Sequence, residues 1–312
     1  MPELPEVETV ARLIAPDLLG RRVEGFEIPW ARTVGERSPA QFARLLEGRR
    51  CVVVDRRAKY LLLGFAAGRE SESSAWLVVH LRMTGRLVVE PRSGAASPHR
   101  RFSLLLSAGP RRPLAMPAPG PWRGVAAKRA PVASQPASAK VRLDFIDPRK
   151  FGRCLATEDP TEVLPALGPE PLGEDFKAES FFAALRARRR QLKPLLLDQS
   201  FVAGLGNIYV DESLYRARLH PEMPSDRVSR PKAFALFGAI RTVLTEAIER
   251  EGSSFDSFYR TPTGQPGSYQ HQFQVYGRQD QPCRACGTTI RRTVVGQRGT
   301  HFCPRCQKPA RG

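Results

Sequence analysis

Acidic residues are scarce in this chain: 31 Asp and Glu stand against 49 Lys and Arg over 312 residues, a formal net charge of +18. Such an imbalance excludes an acidic surface and favours polyanionic partners, nucleic acid ahead of anionic membrane. Long apolar runs are missing as well. The longest, Leu61 to Ala67, is broken by Gly64 and falls far short of the ~20 residues a membrane helix needs. The first residues, Met1-Pro2-Glu3-Leu4-Pro5-Glu6, lack a basic stretch leading into an apolar one, so no secretory signal and a cytoplasmic location are expected. Cysteine is thin until the end: Cys51 and Cys154 stand alone, and the other four of six fall in the last thirty residues. A disulfide framework would spread its cysteines through a small secreted domain, so this pattern reads as metal ligation in a reducing compartment. Cys51 and Cys154 read as small buried hydrophobes. No internal repeat is visible. Apolar residues are plentiful at 41%, enough for real cores, and the length predicts two domains.

Val7, Val10, Ala11, Ile14 and Leu18 recur at helical spacing, so Pro5 to Leu19 is predicted as a first helix closed by Gly20. Strands are predicted over 22–28, 51–57, 60–65, 75–81, 86–90, 102–106, 141–146 and 153–156, with a short helix over 39–46. Many short strands punctuated by glycine and proline indicate a β-sandwich or a barrel. Ser107 to Lys140 departs from this pattern with seven prolines, nine alanines, six Lys and Arg and no Asp or Glu. It reads as a flexible basic loop between two strands. Pro165, Gly168, Pro169, Pro171 and Gly173 mark a linker. Beyond it, helices are predicted over 178–190, 193–197, 208–217 and 232–251, and short strands and turns from Val275 onward.

Cys283-Arg284-Ala285-Cys286 and Cys303-Pro304-Arg305-Cys306 are two C-x2-C knuckles separated by sixteen residues. Each aims two thiolates at one point, which gives one tetrahedral Zn²⁺ with four sulfurs and no open position, hence a structural ion. Arg291, Arg292, Arg298 and Lys308 decorate this finger, and a connecting hairpin would carry basic side chains to phosphates.

Pro2-Glu3-Leu4-Pro5-Glu6-Val7-Glu8 is open to two readings. Acidic residues suit the positive end of a helix. Alternatively, removal of Met1 ahead of proline would expose a secondary amine, and α-amino groups titrate near ~8, low enough to serve as a nucleophile.

These residues, with Arg57-Ala58-Lys59-Tyr60, His80-Leu81-Arg82-Met83-Thr84-Gly85, Asp147-Pro148-Arg149-Lys150-Phe151-Gly152, Leu167-Gly168-Pro169-Glu170-Pro171-Leu172, Gly204-Leu205-Gly206-Asn207-Ile208-Tyr209, Gln274-Val275-Tyr276-Gly277-Arg278 and the knuckles, resemble the bacterial formamidopyrimidine-DNA glycosylase family. The motifs arrive in family order and span nearly all of the chain outside Ser107 to Lys140. The related endonuclease VIII, which prefers oxidised pyrimidines, starts differently.

The resemblance implies an α+β fold: an N-terminal β-sandwich with flanking helices, then a helix–two-turn–helix domain with a zinc finger. The implied boundaries are a catalytic domain over 1–160 with the insertion 107–140, a linker over 161–173, the helix–two-turn–helix domain over 174–271 and the finger over 272–312. It implies a bifunctional base-excision enzyme that removes 8-oxoguanine and ring-opened purines from damaged double-stranded DNA and then cuts the strand. A monomer is expected, with no small-molecule cofactor and no membrane partner. Mature Pro2 would be the nucleophile at C1′ and Glu3 the general acid. Lys59 would assist β-elimination, and Arg298 would clamp phosphate and assist δ-elimination. Glu6 would either cap the helix or take part in the chemistry. Because the target base must leave the stack, Met83, Arg149 and Phe151 would fill the hole, although ordinary core packing of Met83 and Phe151 is the alternative reading. His99, Lys150, Arg189, Lys193 and Asn207 match DNA-contacting positions. His99-Arg100-Arg101 departs from the family's usual His-acid-His pattern, and Thr261 to Gln270 corresponds to the loop that closes over the flipped base.

Overall fold

The computed structural model describes residues 1–68, 73–109, 133–255 and 259–309. They fall into two compact units. One runs up to Pro165 and takes in Glu251–Ser268; the other takes Ala166–Arg250 and the chain from Tyr269 onward.

The first unit opens with α1 (Leu4–Leu18), which has Pro5 in its first turn, where the missing N–H costs nothing. Its Val7, Val10, Ala11, Ile14 and Leu18 face the core, as their spacing requires. Then come β1 (Val23–Glu27), α2 (Pro39–Leu46), β2 (Arg50–Arg57), β3 (Tyr60–Ala66), β4 (Ala75–His80), β5 (Arg86–Pro91), β6 (Arg100–Leu106), β7 (Val141–Ile146) and β8 (Arg153–Thr157). The strands pair into two antiparallel four-stranded sheets, ordered β1-β6-β7-β5 and β2-β3-β4-β8. Leu61, Leu63, Leu77 and Val79 from one sheet and Phe102, Leu104, Leu143 and Phe145 from the other share one core. Two separate sheets make this a sandwich, which decides between the two architectures the sequence left open.

The roots of the predicted basic loop are anchored. Arg21, just beyond α1, donates to the carbonyls of Ser107 (2.9 Å), Ala139 (2.5 Å) and Pro136 (3.3 Å). Asp17 accepts from the Ser134 amide (2.9 Å) and hydroxyl (2.7 Å) and the Gln135 amide (2.8 Å). Residues 110–132 of that loop lie outside the described residues.

The second unit contains α3 (Ala178–Arg186), α4 (Leu192–Leu197), α5 (Asn207–Arg216), α6 (Arg230–Glu249) and a hairpin of β9 (Arg291–Val295) and β10 (Arg298–Phe302). Turns between Asp198 and Gly206 join α4 to α5. The helix expected to reach Arg190 stops at Arg186. The Ser225 hydroxyl donates to the Arg188 carbonyl at 2.6 Å, and the Arg190 carbonyl accepts from the Ser225 amide at 2.8 Å, which turns the chain away. No helix among the described residues is long and apolar enough to cross a membrane.

Candidate functional site

Pro2 is buried beneath an exposed Met1, and Glu3 is the N-cap of α1. Glu6 is fully engaged in structure: one carboxylate oxygen accepts from the Glu3 amide and the other from the Ser253 amide, both at 2.8 Å. Of the two readings of Glu6, capping is the one the geometry displays. Lys59 lies in the two-residue turn between β2 and β3, where Ala58 takes φ +52°. A hairpin lysine is ordinarily exposed, yet this one is buried, at 6% exposure. The fixing element is Arg56, itself buried: its Nε donates to Glu8 of α1 and its Nη1 to the Ala58 carbonyl, both at 3.0 Å. The turn carrying Lys59 is thereby tied to the helix carrying Pro2 and Glu3. His80, edge-on to Tyr60 at 4.6 Å, accepts from the Arg82 amide at 3.0 Å. Burial, with help from the Arg82 and Lys59 charges, pushes its pKa down to about 3, so it stays neutral.

Met83 and Phe151 are 42% and 48% exposed, which rules out core packing for both. The Arg149 guanidinium lies 3.5 Å from the Met83 sulfur and 4.9 Å from the centre of the Phe151 ring. Two apolar side chains and a cation thus form one outward-facing group on two loops. The buried Asp147 staples those loops: its carboxylate accepts from the Thr84 hydroxyl, the Arg149 amide (3.2 Å) and the Gly152 amide (2.8 Å). Beneath them lies the Phe145 ring, and a Cβ on Gly85 or Gly152 would fall 2.8 or 2.2 Å from it. Both positions need glycine because the backbone passes so close to the ring. Beside this platform, the His99 carbonyl accepts from the Asp147 amide at 2.9 Å, while Arg101 donates to the Asp147 carbonyl and Arg100 pairs with Glu27. The two arginines that replace the usual acid-His pattern therefore brace the scaffold. Lys150 (φ +62°) holds its ammonium 4.0 Å over the Trp30 ring. Thr261 of the expected closing loop is buried and turns tightly, accepting at its hydroxyl from the Gln265 amide at 3.1 Å.

In the second unit the expectation for Lys193 needs correcting. The side chain is fully buried and has no surface to offer a phosphate. Its ammonium donates to Asp211 of α5 (2.6 Å) and to the Gly299 carbonyl of β10 (2.9 Å). Asn207, the first residue of α5, donates to that same carbonyl at 2.9 Å, and its own carbonyl oxygen is buried without a partner. Asp211 also accepts from the His301 amide at 2.8 Å. This network clamps β10 and so fixes its first residue, Arg298, which is exposed and whose side chain has no hydrogen bond or ion pair among the described residues. Arg189 is likewise exposed.

The four sulfurs of Cys283, Cys286, Cys303 and Cys306 lie within 4.8 Å of one another, with separations of 3.5 to 4.0 Å along three edges. A tetrahedron with Zn–S bonds of ~2.3 Å has edges of about 3.8 Å, so the cluster fits one zinc. The Tyr215 hydroxyl sits 3.2 Å from the Cys283 sulfur and the Cys306 amide 3.4 Å from the Cys303 sulfur, partners that orient the ligands. Cys51 and Cys154 are buried, and desolvation holds the Cys51 thiol up at about 12, as suits inert packing residues.

Sequence reasoning missed Asp147, Arg56, Glu8, Asp211 and Trp30. A charged residue next to apolar strand residues, as in Val54-Asp55-Arg56, was the available signal for the buried ones.

Comparison with known proteins gives three family matches. Residues 1–154 match the formamidopyrimidine-DNA glycosylase N-terminal domain, residues 167–258 that family's H2TH domain, and residues 280–309 a zinc finger found in FPG and IleRS. A formamidopyrimidine-DNA glycosylase of Thermus thermophilus is 42% identical over 314 residues, covering 98% of both chains; one of Chloroflexus aggregans is 42% identical over 312 residues with the same coverage. The crystal structure of the MutM (FPG) protein from Thermus thermophilus superposes with a TM-score of 0.78 at 39% identity, covering 99% of this chain and 100% of that one. A MutM complex with carbocyclic 8-oxo-G DNA gives a TM-score of 0.79 at 32% identity, covering 98% and 100%. A Lactococcus lactis FPG variant bound to Fapy-dG DNA gives 0.80 at 32% identity, again covering 98% and 100%.

Proposed function

This chain belongs to the formamidopyrimidine-DNA glycosylase family, a DNA glycosylase of base excision repair, and from that premise we infer which of its residues act on 8-oxoguanine and formamidopyrimidines in duplex DNA. The reading is carried by one observation. Pro2, Glu3 and Lys59, three groups that simple DNA binding does not require, are buried and held by one helix and the hairpin turn that Arg56 and Glu8 tie to it. The relatives solved with 8-oxo-G and Fapy-dG DNA support the substrate class.

Loss of Met1 uncovers the Pro2 nitrogen. Its lone pair forms a bond to C1′ of the flipped nucleoside as the glycosidic bond breaks, and the base leaves with a proton. Glu3 protonates the sugar ring oxygen, the ring opens and an iminium remains. The iminium draws electrons from the adjacent C2′–H bond. The Glu3 carboxylate, left unprotonated by the ring opening, takes that proton as the C3′–O bond breaks, which completes β-elimination, with Lys59 supplying a proton and positive charge to the leaving phosphate. A second elimination breaks the C5′–O bond, with Arg298 holding the departing phosphate. Met83 and Phe151 fill the vacated stack while Arg149 donates to the orphaned cytosine. Arg189, His99 and Lys150 meet the backbone, and Asn207 acts through its hold on the hairpin. Zinc on Cys283, Cys286, Cys303 and Cys306 is structural and takes no part in these steps. The enzyme acts as a monomer in the bacterial cytoplasm, and its working boundaries follow the four segments 1–160, 161–173, 174–271 and 272–312.

Sodium borohydride reduces the iminium to a stable amine. An 8-oxoguanine:cytosine duplex should therefore become covalently attached to Pro2, with peptide mass spectrometry locating the link and showing Met1 absent. Pro2→Gly should abolish efficient trapping. Trapping at another residue, or only on a thymine glycol duplex, would overturn the assignment.

A further inference from the structure

A cavity of about 1020 Å³ lies in the second unit beside the zinc-finger knuckles. Arg218, Arg227 and Lys232 reach it from the connection between α5 and the first turn of α6, and Arg305 and Lys308 from the second knuckle. Among the described residues no Asp or Glu lines it. Among the described residues the only partner of these five side chains is the Ala217 carbonyl, 3.3 Å from the Lys232 ammonium. Ser229, also in the lining, is the N-cap of the twenty-residue α6 but makes no side-chain capping bond, so the positive end of that helix adds to the field. Cys286 and Cys306, two of the four knuckle cysteines, belong to the wall, so the cavity adjoins the metal cluster. A zinc tetrathiolate carries two negative charges, and the cations outnumber them.

Leu219, 1% exposed, with Met223 and Ala285 adds apolar lining. Among the described residues no aromatic side chain lines the cavity, so they offer a nucleic-acid base no stacking platform. The cavity borders the base of the β9–β10 hairpin, where Phe302 packs on His220 at 4.9 Å and Gln307 donates to the Leu219 carbonyl at 2.9 Å, while Arg298 opens β10 at the hairpin's turn. Asn207 opens α5 and Arg218 lies two residues past its end, a separation of roughly 15 Å along the helix axis at 1.5 Å per residue.

A concave site lined by cationic and aliphatic side chains, with an adaptable methionine among them, suits a ligand that carries carboxylates and aliphatic side chains together. We propose that this cavity docks an acidic peptide segment of a partner protein. The segment's carboxylates pair with Arg218, Arg227, Lys232, Arg305 and Lys308, and an aliphatic side chain packs on Leu219 and Met223. The proposal does not rest on the glycosylase reading, because docking needs neither Pro2 nor the zinc-held hairpin's Arg298.

The test titrates the zinc-loaded full chain with a twelve-residue peptide of alternating Asp and Leu at about 150 mM salt, where diffuse charge attraction is strongly screened. The chain has four methionines, so the Met223 methyl resonance is readily assigned. It should shift saturably, and the same peptide with Ser for Leu should bind at least tenfold more weakly. Arg227→Glu with Lys232→Glu should weaken peptide binding at least tenfold. Arg32→Glu with Arg44→Glu, exposed residues of the first unit with the same charge change, should alter it less than twofold. Both double variants should nick an 8-oxoguanine duplex at the parent rate. Arg227→Gln with Lys232→Gln repeats the comparison with a smaller perturbation should the charge reversal impair folding. The proposal fails if Met223 does not shift, if the Ser peptide binds equally well, or if both charge reversals weaken binding alike. It also fails if the Arg227/Lys232 variant loses duplex affinity in proportion, which would assign the cavity to the DNA track.

Discussion

Asp147 shows how one carboxylate can position a whole recognition group. It accepts from the Thr84 hydroxyl on one loop and from the Arg149 and Gly152 amides on the other. Asn is isosteric, but one end of its side chain would turn an N–H against these donors, and a buried mismatch of this kind costs about 1–3 kcal/mol. Asp147→Asn should therefore slow base excision about tenfold or more in single-turnover assays, while Arg149 loses its preference for cytosine opposite the lesion. Borohydride trapping on a preformed abasic site should be nearly unchanged. Parent-like excision and opposite-base preference would remove Asp147 from this role. His80 gives a prediction in pH. Its folded pKa of about 3 lies below the ordinary histidine value of 6.5, because of burial first and the Arg82 and Lys59 charges second. A histidine depressed in the folded state contributes stability that is complete above the unfolded pKa and is lost as pH falls. Melting temperature should therefore decline from about pH 6.5 towards pH 3, with a contribution on the order of a few kcal/mol. His80→Gln, which cannot be charged, should flatten that decline; an identical slope in the variant would refute it.

Among the elements, hydrophobic pattern alone located nearly all of the structure. The helix at Leu4–Leu18 and the long α6 follow from helical recurrence, whereas strands such as β3, β4 and β7 are buried along nearly their whole length and read as short apolar runs bounded by turn residues. Local pattern says nothing about tertiary partners, and this is where expectation and structure part. Lys193 matches a DNA-contacting position, yet Asp211, eighteen residues on, and Gly299, more than a hundred on, draw it inside. Met83 and Phe151 read equally as core or wedge, and only their exposure decides. The buried Lys193–Asp211 pair makes its own prediction. Lys193→Met strands a buried carboxylate, a loss of about 3–5 kcal/mol, and frees β10 next to Arg298. The variant should retain trapping through Pro2 but accumulate β-elimination product at the expense of the β,δ-product. Adding Asp211→Leu should restore much of the stability without restoring the product ratio. A parent-like product ratio in Lys193→Met would show that the clamp does not serve Arg298.

For the molecule as a whole, the question is how much of a net charge of +18 reaches the DNA. Many cations are already committed within the fold: Arg56 to Glu8, Arg100 to Glu27, Arg142 to Asp144, Arg190 to Asp198, Lys193 to Asp211 and Arg216 to Glu246. Arg218, Arg227, Lys232, Arg305 and Lys308 gather around a separate cavity. The cations proposed to face the DNA are a small set chosen by position, Arg149, Lys150, Arg189 and Arg298. Each neutralised phosphate releases counterions and contributes ~0.9 to the slope of log affinity against log salt, so about four contacts give a slope near −4, against roughly −16 if every net charge took part. Arg298→Ala should reduce the slope by about one. Chelating the zinc, which frees the knuckles and the hairpin between them, should reduce it by at least as much while the first unit still melts at its original temperature. Arg227→Glu with Lys232→Glu should leave the slope within experimental scatter. Fluorescence anisotropy on a duplex containing a non-cleavable abasic analogue, between 50 and 300 mM salt, measures all three. A slope that tracks total net charge equally in every variant would mean that the duplex is held by a diffuse positive field rather than by the residues named here.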